Sequence, residues 1–373
     1  MRGPRARVTE APDAEVFAPR PKRGRRGTVL LIALLALLVL VALAVFLPVP
    51  YVKIAPGPTF NTIGEIDGRP LVEIGESTQY PTYPVTGNLN MTTIQEWGGP
   101  RGGLTVFQAV AAWLDQSDAV LPRELLYPDD ETKDDVERRN AEMFSTSQSN
   151  AIAAALTYAN IPVMAQVTVT MVVEGTPAAG NLRAGDHVLT LDGVAVTDSQ
   201  QIGDAIRGSS IGTTFVFGVE RAGENVSVSV TSADNPDDPG VPYVGIGIGP
   251  NFVGPMPIQF TLEDIGGPSA GLFFSLAIVD KLTPNDLAGG RFIAGTGTIS
   301  PEGAVGAIGG IRQKLAGAGA AGAELFLMPK VHCGEAAGYV PDGLTAVPVD
   351  TLTDAIMAIE AWKAGSTVPS CPA

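Results

Sequence analysis

Between residues 28 and 47 the chain places twenty positions in a row without a charge. At the helical rise of about 1.5 Å per residue this run spans roughly 30 Å, one bilayer core, and predicts a transmembrane helix over 28–48. The apolar stretch of a cleaved signal peptide is shorter, about 7–15 residues. No clear small-x-small cleavage site follows the apolar run before Pro48, so a retained anchor is favoured. Beyond it, short apolar pieces at 51–54, 71–74 and 88–92 alternate with Gly/Pro breaks and predict strands, with Pro56-Gly57-Pro58 as a turn. Helical patterns follow at 104–115 and 133–159, around an acidic, Pro-bearing loop at 122–132. The second helix has a charged front and an Ala-rich back.

From residue 166 the pattern shortens. A strand at 167–173, a turn at Gly175-Thr176-Pro177-Ala178-Ala179-Gly180, a strand through His187-Val188-Leu189-Thr190-Leu191 and a short helix at 199–207 lead to two strands around Arg221-Ala222-Gly223. A Pro/Asp segment, 235–240, reads as a linker. After it the pattern alternates strand and helix: strands at 243–248 and 256–262, a helix after Ser269, a strand at 292–299, a helix after Lys314, strands at 325–329 and 346–349, and a helix at 351–363. The fold class is α+β and multidomain. The segments are a basic tail (1–27), the apolar helix (28–48), a strand/helix region (51–165), a β-rich module (166–234) and an α/β module (241–365).

Charge orients the chain. The tail holds eight of the 24 basic residues and three of the 39 acidic ones, which leaves a net −20 on the remainder. A basic flank stays cytoplasmic, so the bulk is expected outside the cytoplasm. The acidic balance argues against nucleic acid as a partner. Two cysteines, Cys333 and Cys371, read in an exported domain as a disulfide drawing the tail onto the body; two separate thiols are the other reading. Neither has metal-ligand spacing, and no metal or cofactor is expected.

The chemistry-bearing positions are Ser269, in Gly266-Gly267-Pro268-Ser269-Ala270-Gly271 before an apolar run, and Lys314, after Gly309-Gly310-Ile311-Arg312-Gln313. A serine hydroxyl attacks only when a neighbour takes its proton, and a lysine of lowered pKa can do so. Apolar Ile308, Ile311 and Leu315 near Lys314 would disfavour the ammonium. Taken singly, the first motif is a tight turn and Lys314 an exposed helix lysine. The chain has only His187 and His332 for a histidine-based mechanism, and no carboxylate pairs with His332 in the sequence pattern.

Four motifs in order weigh against those single readings. Gly267-Pro268-Ser269-Ala270-Gly271, Gly295-Thr296-Gly297-Thr298-Ile299, Gly309-Gly310-Ile311-Arg312-Gln313-Lys314 and Leu325 to Pro329 resemble the nucleophile motif, central strand, lysine motif and following strand of the Lon proteolytic domain. The resemblance implies Ser269 as nucleophile, Lys314 as general base and Thr296 orienting the lysine amine. Backbone N–H groups of Ser269, Gly267 and Gly266 are candidates for an oxyanion site. The family's common Asp before Gly-Pro-Ser is replaced here by Gly266. Residues 166–231 resemble a bacterial protease-associated PDZ domain, carried by Gly175-Thr176-Pro177-Ala178 and Leu182-Arg183-Ala184-Gly185-Asp186. That resemblance implies capture of extended peptides on a sheet edge. The layout resembles membrane-anchored PDZ–Lon proteins of Gram-positive bacteria. No GxxxxGK[ST] loop is present, so the implied enzyme is an ATP-independent serine endopeptidase of unfolded or flexible polypeptides, with a homo-oligomer as the expected assembly. Two alternatives are a non-cleaving anchored chaperone or pseudoprotease and a single-site signalling protease.

Overall fold

The apolar run forms one helix, Arg23–Phe46, and its stretch Gly27–Phe46 is long and apolar enough to cross a membrane. Its side chains from Thr28 onward are almost all exposed. The computed structural model describes residues 23–100, 102–127, 132–236, 238–262 and 266–371. Most of the basic tail read over 1–27 lies outside the described residues. The foot of the helix is stapled to the body where Pro48–Val49 pairs antiparallel with Leu104–Thr105. Helix Val106–Leu114 begins at once from that pair, with Thr105 and Gln108 forming a capping box.

The main sheet has six strands in the order Thr345–Val349, Leu325–Pro329, Phe292–Gly295, Asn88–Trp97, Tyr51–Asn61, Ala119–Pro122. The first four run parallel and the last two are added antiparallel. Strands from the first hundred residues therefore share a sheet with strands some 200 residues later. The period-2 alternation of side chains splits the sheet's two faces. Ile293, Leu325 and Leu327 point into one core with Leu89, Met91, Phe273 and Phe274. Ala294, Phe326 and Met328 point into the other with Ile311 and Leu315. Helices Gly271–Leu282 and Ile311–Ala320 thus cover opposite faces, the arrangement that buried parallel strands need.

A second sheet is antiparallel throughout, in the order Glu224–Thr231, Thr214–Arg221, His187–Leu191, Met164–Val172, Ile246–Val253. Its core, including Val169, Val188, Ile202, Phe215, Phe217 and Val230, is separate from the first two. Buried Asp186 is clamped there by Arg221 at 2.7 Å. Burial pushes its carboxyl up, but the Arg221 bonds and the Arg183 N–H outweigh that and hold it below the usual range. The Gly185-Asp186 pair of the sequence pattern is therefore a structural clamp.

Helix Lys133–Tyr158 lies between the two sheets. Its Ala151, Ala154, Ala155 and Leu156 enter the main core, while its Ser149 hydroxyl accepts the N–H of Phe252 in the second sheet at 2.7 Å.

Three expectations change. Pro56-Gly57-Pro58 is not a turn: strand Tyr51–Asn61 runs through it with a register shift between Pro56 and Thr59. The bulge absorbs two prolines that cannot donate to the ladder, and a Cβ on Gly57 would meet Thr93 Oγ1 at 2.4 Å. The segment 235–240 turns the chain back, since Ala233–Asp234 pairs with Pro242–Tyr243. The strand expected at 243–248 is Ile246–Val253 and joins the second sheet, while Ile258–Phe260 pairs with Val72–Ile74; neither enters the parallel sheet. Ile258–Phe260 is only three residues long, and Ile246–Val253 is half-buried along nearly all of its length, which fits an antiparallel edge better than a fully buried core strand.

Candidate active site

Strand Phe292–Gly295 ends where it meets the site. A Cβ on Gly295 would lie 2.3 Å from the Leu327 carbonyl and 2.7 Å from Phe273, so only glycine lets the chain pass. The next residue, Thr296, is fully buried, and its N–H donates to the Leu327 carbonyl at 3.0 Å. Gly297 N–H then donates to the Ser269 carbonyl at 2.9 Å, which ties the end of the strand to the loop that carries Ser269. That loop turns at Gly267, whose φ of 87° is disfavoured for any residue with a Cβ. Ser269 follows, two residues before helix Gly271–Leu282.

Lys314 sits in the first turns of helix Ile311–Ala320, which starts from Gly310 at φ 70°. It is only 2 % exposed and is among the largest fully enclosed side chains of the protein. Its Nζ lies 2.7 Å from Ser269 Oγ and 2.9 Å from Thr296 Oγ1. Thr296 in turn donates its hydroxyl proton to the Ser269 carbonyl at 3.0 Å. That bond leaves the Thr296 oxygen as an acceptor facing the amine. Burial among apolar side chains disfavours the ammonium and brings Lys314 down from 10.5 to about 7. At neutral pH a large share of the amine is then unprotonated, with its lone pair free for the serine proton. Ser269, Thr296 and Lys314 are brought together; His187 and His332 are not.

His187 lies in the second sheet, opposite Thr168 and Glu220. His332 lies near the site but is committed elsewhere: its Nε2 accepts the Ile308 N–H at 2.9 Å. Its Nδ1 is 3.3 Å from Glu335, a carboxylate partner the sequence pattern does not reveal. The ring therefore holds the loop 307–309 in place. Of the three oxyanion candidates, Gly267 has its N–H occupied by the Asn140 carbonyl at 3.0 Å. Cys333 and Cys371 are joined by a disulfide that ties the C-terminal tail to the short helix Cys333–Ala336.

Ser269 and Lys314 open into a cleft of about 780 Å³, walled by Phe60, Met91, Ile94, Met143, Ala307 and Ile308 among others. Strand Asn88–Trp97 is paired with Phe292–Gly295 only from Asn88 to Met91, so the stretch 92–96 presents its backbone to the cleft on that side. Pro268 and Thr298 also border a neighbouring hollow of about 580 Å³ under helix Lys133–Tyr158. This helix is the contribution that sequence reasoning missed. Besides the Asn140 bond, its Ser147 Oγ donates to the Pro268 carbonyl at 2.9 Å and its Asn150 amide to Ile299. The signal was present as the run Ser145-Thr146-Ser147-Gln148-Ser149-Asn150: small polar residues are poor choices for a helix interior unless they bond to something. In the second sheet, a groove of about 460 Å³ runs between helix Ser199–Arg207 and the edge strand Ile246–Val253, floored by Ile202, Ile206 and Ile248.

Comparison with known proteins places two modules on this architecture. Residues 264–359 match the model of the Lon protease (S16) C-terminal proteolytic domain, and residues 138–231 match that of the PDZ domain. The chain thus combines a PDZ domain with a Lon-type C-terminal proteolytic domain, preceded by an apolar helix that is a candidate membrane anchor. Among curated proteins, the Lon protease of Buchnera aphidicola subsp. Schizaphis graminum is 37 % identical over 93 residues. That is 24 % of this chain and only 12 % of the relative's length. Among solved structures, the PDZ domain of the SdrC-like protein of Listeria monocytogenes is 28 % identical, covering 22 % of this chain and 86 % of that one, with a TM-score of 0.21. Its counterpart from Listeria innocua is 31 % identical, covering 22 % and 92 %, with the same TM-score.

Proposed function

We propose that this protein is a membrane-anchored, ATP-independent serine endopeptidase in which Ser269 is the nucleophile and Lys314 the general base. The observation that carries the reading is the 2.7 Å contact between a buried amine, whose pKa burial lowers, and the serine hydroxyl. In this mechanism Lys314 takes the Ser269 proton as Oγ attacks a peptide carbonyl. It then returns that proton to the leaving amine. Thr296 fixes the amine by accepting one of its N–H bonds. The carbonyl oxygen turns negative in the tetrahedral intermediate and needs donors already in place. Backbone N–H groups of Ser269 and Gly266 are assigned that role, the Gly267 N–H being committed to the Asn140 carbonyl.

Substrate enters as an extended segment, because the open edge at 92–96 offers strand pairing beside Ser269. The groove between Ser199–Arg207 and the edge strand Ile246–Val253 supplies a second docking place, where the PDZ module holds flexible polypeptide. Helix 27–46 spans the bilayer, with the basic tail in the cytoplasm and the catalytic module outside it. A binding-only chaperone would have no use for an enclosed lysine against a serine, and no observation favours that reading.

The test uses the full chain in detergent micelles with a permanently unfolded protein and no nucleotide. The parent is expected to cleave it, and Lys314→Ala to leave it intact. Cleavage by both forms, or a requirement for ATP, contradicts the proposal.

A further inference from the structure

Helix Val106–Leu114 carries no charged residue, and Phe107, Val110, Trp113 and Leu114 on it are 68, 52, 76 and 70 % exposed. At 100° per residue these four positions fall on one arc of about 120°, a continuous apolar face. Buried Ala112 holds the helix to the body. So large an uncovered apolar face on a nine-residue helix calls for a partner.

Its position says which partner. The helix starts from the strand pair that staples Pro48–Val49 to Leu104–Thr105, and it packs against helix Arg23–Phe46. It therefore sits at the point where the apolar helix leaves the body, a position fixed by backbone hydrogen bonds. Exposed Phe46, Leu47 and Tyr51 lie on the same stretch of chain. An aromatic and aliphatic face with an indole at its edge suits the headgroup boundary of a bilayer, where tryptophan is enriched.

We infer that Val106–Leu114 is an interfacial helix that lies in the outer surface of the membrane beside the anchor and fixes the tilt of the catalytic body against the bilayer. The inference rests on the reading of helix 27–46 as a membrane span. A tether of one helix alone leaves the body free to swing; a second contact at its foot holds the body in one pose. Because the face has no charge, its contact is with the hydrocarbon boundary and does not depend on anionic lipid.

The experiment reconstitutes the full chain into phosphatidylcholine vesicles, with and without brominated acyl chains, alongside Trp113→Phe. Carbonate-resistant flotation of the vesicles reports the span separately. In brominated vesicles the parent is expected to lose a component of tryptophan emission that is missing from Trp113→Phe, with no change between low and high salt. Flotation with identical quenching in parent and Trp113→Phe overturns the interfacial helix and leaves the anchor standing. Failure to float overturns the anchor and this inference with it. Catalysis by Trp113→Phe on a soluble unfolded substrate serves as the folding control and is expected to match the parent.

Discussion

Lys314 is an expensive residue for the fold. Lowering an amine from 10.5 to about 7 by burial costs on the order of 5 kcal/mol of differential solvation between its charged and neutral forms. The sign follows from proton counting. Between about pH 7 and 10.5 the unfolded chain binds a proton that the folded one lacks, so stability rises with pH across this window. Lys314→Met keeps the length and apolar stem but removes the titration. It is expected to abolish activity, raise stability at pH 7 by about 1–2 kcal/mol and flatten the pH dependence between 7 and 10.5. Denaturant melts at several pH values check this, and a destabilised Lys314→Met would contradict the assigned burial cost. His332 gives the opposite pattern. His332→Ala leaves the Ile308 N–H without its acceptor, at a cost of about 1–3 kcal/mol. Turnover should survive, because both ring nitrogens are engaged by Ile308 and Glu335. Loss of all activity in a folded His332→Ala would instead support a histidine mechanism.

At the scale of elements, the residues that the structure brings together, Ser269, Thr296 and Lys314, were legible because they sit on local motifs. Gly267 and Gly310 must adopt positive φ where the chain turns into a helix, and Gly295 must pass close to the Leu327 carbonyl, so the glycines mark the chemistry. The helix Lys133–Tyr158 was legible as a helix but not as part of the site. Its contacts to Pro268 and Ile299 join residues more than a hundred positions apart, and no periodicity in one segment reports such pairing. The same reason hid the destination of Ile246–Val253. Its alternation announces a strand, but the choice between two sheets is made by partners far away in the chain. The disulfide between Cys333 and Cys371 acts at this scale too. It closes a loop over a separation of 38 residues, for which chain entropy alone gives about 3–4 kcal/mol. The double variant Cys333→Ser with Cys371→Ser is expected to melt lower by that order while keeping the serine–lysine geometry. Calorimetry checks it, and an unchanged melting point would show that the tail contributes nothing.

For the whole molecule, the PDZ sheet is set into the chain between two parts of the main sheet: strands Tyr51–Asn61 and Asn88–Trp97 come before it, and Phe292–Gly295, Leu325–Pro329 and Thr345–Val349 after it. The 51–97 strands are thus integral to the cleft wall, which Phe60, Met91 and Ile94 help to form. Helix Lys133–Tyr158 bonds to the nucleophile loop through Asn140 and Ser147 and to the edge strand through Ser149. One rigid element therefore positions the docking groove against the cleft. On the proposed function, a polypeptide held in the groove and cut at Ser269 would be handled by a single framework.

The measurement that tests this most directly is the rate at which a fluorophosphonate probe labels Ser269 across pH 5 to 9, read by mass spectrometry of the modified peptide. A single serine is expected to be labelled, with a rate that rises through a midpoint near the Lys314 value of about 7 and levels off above it. Lys314→Ala is expected to show no labelling at any pH. Labelling at another serine, or equal labelling of Ser269 in Lys314→Ala, would contradict the assignment of a lysine base.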